Sequence, residues 1–225
     1  MLPGRKIICL VCFANLLMMS GCSKDVVPFL CGSSVEYSGM NYRTVQIGDQ
    51  CWMTDNLNIG QRMDGSQNQI PANGFIEKYC QEDNESYCDV YGGLYQWNEA
   101  MGGEYKEGVR GICPEGWHIP SDDEWTLLFE RIGGKEIAGR VLKSNQGWYL
   151  GGNGSDSLHF TALPGGNRDY DGIFYNLSKT AVFWSSTSFE GVYAYSNKLG
   201  YQHDNTYRNY YNKKSGFSVR CIKTL

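Results

Sequence analysis

The stretch CPEGWHIPSDDEWTLLFERIGG, residues 113–134, decides the fold. Pro120 closes an extended segment, Ser121 is placed to cap a helix, and Glu124 three residues later completes a capping box. Trp125, Leu128, Phe129 and Ile132 then fall on one face, and Gly133 and Gly134 end the pattern. The spacing predicts an amphipathic helix over 121–132. Residues 135–143 predict a second, shorter one through Ile137, Val141 and Leu142, and residues 91–101 a third with Leu94, Trp97 and Met101 as its stripe.

Beyond residue 147 the chain turns to glycine, asparagine, serine and aromatics, with strand-like runs at 182–187, 192–199, 207–211 and 217–222. On the other side, residues 37–47 alternate well enough for a strand entering a turn at Gly48 and Asp49, and residues 61–73 are a polar surface loop. Helices first and strands afterwards predict an α+β domain, two or three short helices followed by a loop-rich antiparallel sheet, and not an alternating βαβ unit. Trp52, Trp97, Trp117, Trp125 and Trp184 are expected in the core, while Trp148, flanked by turns in NQGWYLGGNG, is expected at the surface.

The N-terminus carries an address. Arg5 and Lys6 precede the run IICLVCFANLLMM, residues 7–19, which is too short to span a bilayer and predicts a secretory signal over 1–21. Ser20, Gly21 and Cys22 resemble the lipobox of bacterial lipoproteins, with Met19 where leucine is commoner. The resemblance implies that Cys22 becomes the lipid-bearing N-terminus, and acyl chains at about 0.8 kcal/mol per buried CH2 would hold it in the membrane. Residues 22–36 are then a tether and 37–225 one domain.

Removing Arg5 and Lys6 from 20 basic residues leaves 18 against 24 acidic ones, a formal charge of −6 with no basic cluster. Such a surface lacks the electrostatic term that dominates nucleic-acid binding. Of the nine cysteines, Cys9 and Cys12 leave with the signal and Cys22 takes the lipid, so six remain in an oxidising compartment. Local spacing pairs Cys80 with Cys88, as the staple of a hairpin, and Cys31 with Cys51, which leaves Cys113 with Cys221. Zinc is disfavoured because there is no CxxC pair and His118, His159 and His203 are scattered.

Six phrases in fixed order carry a family resemblance: VQIGDQCWMTDNLN, YGGLYQWNEAM, CPEGWHIPSDDEW, LPGGNRDYDG, FWSST and GFSVRC. Over roughly residues 37–224 the chain resembles the Fibrobacter succinogenes major paralogous domain, a family abundant in Bacteroidota. The resemblance implies a C-type lectin-like fold, pinned by a disulfide between the helical part and the last strand, for which Cys113 and Cys221 fit. It also implies a domain that recognises a glycan or an envelope or host protein on an outer-membrane lipoprotein, facing either the periplasm or the cell surface. The calcium-dependent sugar readers of the lectin-like group use a Glu-Pro-Asn or Gln-Pro-Asp loop and a Trp-Asn-Asp strand, and neither occurs here.

Candidate sites follow from side-chain chemistry. Sugars are held by aromatic faces together with amides and carboxylates, and Trp148, Tyr170, Tyr175, Tyr201, Tyr207, Asn209 and Tyr210 supply these between residues 148 and 210. Asn167, Asp169 and Asp171 before Gly172 match the first half of a calcium loop, although Ser178 stands where the bidentate carboxylate belongs. No other cofactor is implied. Ser157, in Asp156-Ser157-Leu158, resembles the short O-glycosylation motif of Bacteroidota. His118 is expected to be structural, bonded to a loop carbonyl, with no nucleophile motif beside it. Two rival roles are a structural subunit of a surface assembly and an oxidase of the formylglycine-generating type. The second would need a reactive cysteine pair near the C-terminal end, where only Cys221 stands.

Overall fold

A computed structural model describes residues 29–224; the signal expected over 1–21 and the lipid-bearing role expected of Cys22 lie outside the described residues. Among the described residues the architecture is α+β, with four α-helices and several mostly antiparallel sheets held by three disulfides. Its centre is a meander of three strands, Thr180–Phe189, Tyr193–Gly200 and Thr206–Asn212, hydrogen-bonded in that order. Successive side chains of a strand point to opposite faces, and both faces of the first strand are covered. Val182 and Trp184 enter one core with Trp97, Tyr95, Met53 and Phe217. Ala181 and Phe183 enter the other with Trp52, Trp125, Leu128 and Phe160. Double-sided burial is why FWSST reads as a continuous run and not as an alternating one.

The helix predicted from residues 121–132 forms as Asp122–Arg131. The Ser121 hydroxyl accepts from the Glu124 amide at 3.1 Å while the Ser121 amide donates to the Glu124 carboxylate at 2.8 Å, so both halves of the capping box are made. The next helix is Lys135–Leu142, where a Cβ at Gly139 would come within 2.8 Å of the Asp204 carbonyl, so glycine lets the turn after the middle meander strand sit against the helix.

Several expectations are corrected. Residues 91–101 are not one helix. A helix spans Glu85–Tyr91, capped by Asn84, and ends at Gly92 with φ of 80°, followed by a strand at Tyr95–Gln96 and a single turn at Trp97–Ala100. Leu94, Trp97 and Met101 are all buried, which is why they mimic a stripe. The Cys80–Cys88 segment is not a hairpin but a 3-10 turn leading into that helix. Residues 37–47 are not one strand, because Gly39 at φ of 78° folds them into Val35–Tyr37 and Met40–Tyr42 before Thr44–Ile47. Strands also precede the helices: Thr44–Ile47 and Gln50–Met53 form a hairpin that the C-terminal Ile222–Lys223 joins, followed by Trp117–His118. Residues 29–36 pack on the domain, with the Phe29 ring 5.6 Å from Trp117 and Cys31 bonded to Cys51. The other two bridges are Cys80–Cys88 and Cys113–Cys221, the pairing expected from spacing.

Two arginines of the quoted phrases are almost completely buried and bind carbonyls rather than acids. Arg168 donates to the carbonyls of Gly65 (2.7 Å), Lys214 (2.8 Å), Asp169 and Gln67, and lies 4.5 Å over the Tyr79 ring. Arg220 donates to Asn56 Oδ1 (2.8 Å) and to the carbonyls of Phe160 and Thr161. Each fixes irregular chain that no ladder could hold.

Glu99 is also buried, with Oε1 accepting from the Glu77 amide at 2.8 Å and Oε2 without a partner among the described residues. Burial pushes its carboxyl up to about 7, against the hydrogen bond from the Glu77 amide. A carboxyl raised in the folded state contributes stability that is full below its unfolded pKa near 4.5 and lost as pH rises through about 7. Glu99→Gln keeps the acceptor for Glu77, so the variant is expected to be more stable than the wild type at pH 8 by about 2–3 kcal/mol and equal to it near pH 4. Urea midpoints across that range check this, and parallel curves for the two proteins would refute it.

Candidate functional site

The outer part of the meander and the hairpin of Asn167–Arg168 with Phe174–Tyr175 border a surface trough of three adjoining sections. The first, about 390 Å3, is lined by Lys179, Lys198, Tyr201, His203, Tyr207 and Asn209 among others. It shares Asn176 and Lys198 with the second, about 260 Å3, which adds Tyr175, Asn167 and Asp169. That section shares Asp169 and Tyr211 with the third, about 490 Å3, where Tyr170, Tyr193 and Tyr210 stand.

Strand alternation builds this surface. Tyr207, Asn209 and Tyr211 project from one face of the last meander strand, and register places Lys198 opposite Tyr207, Ser196 opposite Asn209 and Ala194 opposite Tyr211. Tyr210 belongs to the other face, where its ring packs 4.4 Å from Phe189 and 5.7 Å from Tyr193, and it reaches the trough at the end of the strand. Gly166, in LPGG, seats the hairpin, because a Cβ there would fall within 2.4 Å of the Tyr175 carbonyl.

Six of the seven ligand candidates therefore meet: Tyr170, Tyr175, Tyr201, Tyr207, Asn209 and Tyr210. Tyr170, Tyr175, Tyr207 and Tyr210 are exposed, whereas Tyr201 and Asn209 are half-buried. Desolvation, followed by the charges of Asp171 and Asp169, pushes the Tyr175 phenol up, which keeps its proton available for donation. Exposed rings beside the amides of Asn176 and Asn209 and the ammonium of Lys198 can stack on the C–H face of a sugar and bond its hydroxyls.

Trp148 is the exception. Turns on either side fold its indole inward, leaving it 5% exposed, where Nε1 donates to Ser144 Oγ at 3.0 Å and to the Ala162 carbonyl at 3.2 Å. It is a core residue and offers no platform to a ligand.

Asn167, Asp169 and Asp171 lie at the hairpin turn. Asp169 Oδ1 accepts from the Tyr170 amide (2.8 Å), Asp171 Oδ1 from the Ile173 amide (2.9 Å) and Asn167 Oδ1 from Asn176 Nδ2 (3.0 Å). Each side chain thus has an oxygen committed to the turn, and among the described residues no group of three or more His, Cys, Asp and Glu is arranged to hold a metal ion. Ser157 is exposed.

His118 differs from expectation in its partners. Its Nε2 lies 2.9 Å from Glu124 Oε1 and its Nδ1 3.0 Å from Thr224 Oγ1, so it joins the helix N-terminus to the chain end instead of bonding a loop carbonyl. Burial pushes the Glu124 carboxyl up, but the hydrogen bonds from His118 and Ser121 outweigh it and hold the group below its ordinary value. Cys221, which an oxidase role would require, is bridged to Cys113.

Sequence reasoning missed Lys179, Lys198 and Asn176 as lining residues. Lys198 carried a usable signal, since extending the meander register from Tyr207 places it in the same row. The other two reach the trough through the turn after the hairpin, for which the sequence offers no periodicity.

A family model described as the Fibrobacter succinogenes major domain matches residues 45–223. No curated protein and no solved structure matches the chain.

Proposed function

We propose, from the premise that this chain belongs to the Fibrobacter succinogenes major domain family, that it is a lipid-anchored, non-catalytic module of the cell envelope whose trough binds a glycan. The observation that carries this is the meeting of Tyr170, Tyr175, Tyr201, Tyr207, Asn209 and Tyr210 along three adjoining depressions that share lining residues, with four of the five tyrosines exposed. Exposed aromatic rings gathered beside side-chain amides and an ammonium group suit sugar recognition. A C-type lectin-like fold suits the same role, with the disulfide of Cys113 and Cys221 as its pin. Anchoring through Cys22 would place the trough at an outer-membrane surface.

The test is a glycan array probed with the oxidised full-length protein in detergent, with calcium and again with chelator. Specific binding is expected, and loss under chelator would assign a calcium role to Asp169 and Asp171. Tyr207→Ala and Tyr170→Ala are each expected to weaken a hit about tenfold, about 1.4 kcal/mol, with the melting temperature unchanged. Equal loss of binding and of melting temperature would show the rings to be packing residues, and a silent array would move the role to a protein partner or a surface assembly.

A further inference from the structure

The trough is electrically lopsided. Its first section holds Lys179, Lys198 and His203 and no acidic side chain, while its third holds Asp169 and no basic one. Neither lysine takes part in an ion pair or a side-chain hydrogen bond among the described residues, although seven other pairs form. Lys179 Nζ has only the Tyr149 ring, 5.1 Å away, and Asp204, beside His203 in sequence, is not part of the lining. Two ammonium groups without an ion-pair partner among the described residues thus line one concavity, on a chain whose 24 acidic residues outnumber its 20 basic ones, and Lys198 also borders the second section, which holds Asp169. Both line the same concavity, and an anion bound there could accept charge-assisted hydrogen bonds from them.

Resting on the reading of the trough as a glycan site, we infer that its Lys179 and Lys198 end takes an acidic sugar, one bearing a carboxylate or a sulfate. Lys198 is held by the middle meander strand, opposite Val182 on one side and Tyr207 on the other, so its position is set by the sheet. The Tyr207 ring, 5.6 Å from that of His203, stands beside it to stack on the same residue's C–H face. The acidic group would meet the lysines while neutral sugars run toward Tyr175 and Tyr170.

The experiment titrates the oxidised full-length protein in detergent with three probes: tetragalacturonate, its fully methyl-esterified form, and a sulfated chondroitin tetrasaccharide. At least one acidic probe is expected to bind ten or more times tighter than the ester, with the better of the two separating carboxylate from sulfate. Lys179→Gln with Lys198→Gln is expected to remove that margin without shifting the melting temperature. If the ester binds as tightly as the acids, if every glycan found on the array is neutral, or if the double variant keeps its preference, the acidic-sugar inference fails and the glycan site stands. If no probe binds and the array is silent, the glycan site itself fails.

Discussion

Replacing Cys113 and Cys221 together by serine is expected to lower the unfolding free energy by about 4–5 kcal/mol in the chain-entropy treatment, which scales with the length of loop closed. That bridge spans a sequence separation of 108, against 8 for Cys80–Cys88, whose loss is expected to cost about 2–3 kcal/mol on the same basis. Packing points the same way. Cys113 and Cys221 are fully buried in the core that holds Trp97 and Trp184. The strand after Cys221 joins the N-terminal hairpin through Ile222 opposite Trp52 and the Trp117–His118 strand through Ile222 opposite His118. Releasing the bridge therefore frees the one segment that closes the sheet. Denaturant unfolding of the two double variants checks the ranking, and a Cys80/Cys88 variant as unstable as the Cys113/Cys221 one would overturn it.

How much of this could be read beforehand depends on whether a signal was local. The capping box at Ser121 and Glu124 and the glycines at 133 and 134 fixed the main helix from within a dozen residues, and the structure keeps it as Asp122–Arg131. Cysteine spacing gave all three bridges because two of the pairs close short loops. Over 91–101 burial, not amphipathicity, selects Leu94, Trp97 and Met101, so their spacing imitates a helix that does not form. Gly92 at φ of 80°, where a Cβ would meet Asn56 at 2.6 Å, is a stop that the apolar spacing masked. Trp148 is buried among turns: turn-forming neighbours say where the backbone goes and not where an indole points. The trough was legible as a crowd of tyrosines and asparagines, but its charge was not, since Lys179 and Lys198 are brought together only by the pairing of Thr180 with Gly200 and Val182 with Lys198.

The least legible feature was the charged interior, and it supports the second large effect. Arg220→Ala is expected to cost about 3–5 kcal/mol, the range for stranding several buried acceptors at about 1–3 kcal/mol each while opening a cavity. Arg220 is 1% exposed, its guanidinium lies 4.3 Å over the Phe160 ring and 5.0 Å over Phe183, and it forms no ion pair among the described residues. Burial pushes it down to about 9, with Asp55 and Asp156 acting in the opposite direction, so it stays protonated at neutral pH. What it gains is geometric: one planar fork reaches Asn56, Phe160 and Thr161, joining the segment after the Gln50–Met53 strand, the loop before the hairpin and the segment that leads into the last strand. Arg220→Lys is therefore expected to lose nearly as much as alanine, because a single ammonium cannot span three acceptors in fixed directions. Arg220→Met separates the alternatives, since it fills the space between the rings and bonds nothing. A methionine variant that melts with the wild type would show that ring packing holds this segment, whereas one that falls with the lysine variant would assign the stability to the carbonyls the arginine binds.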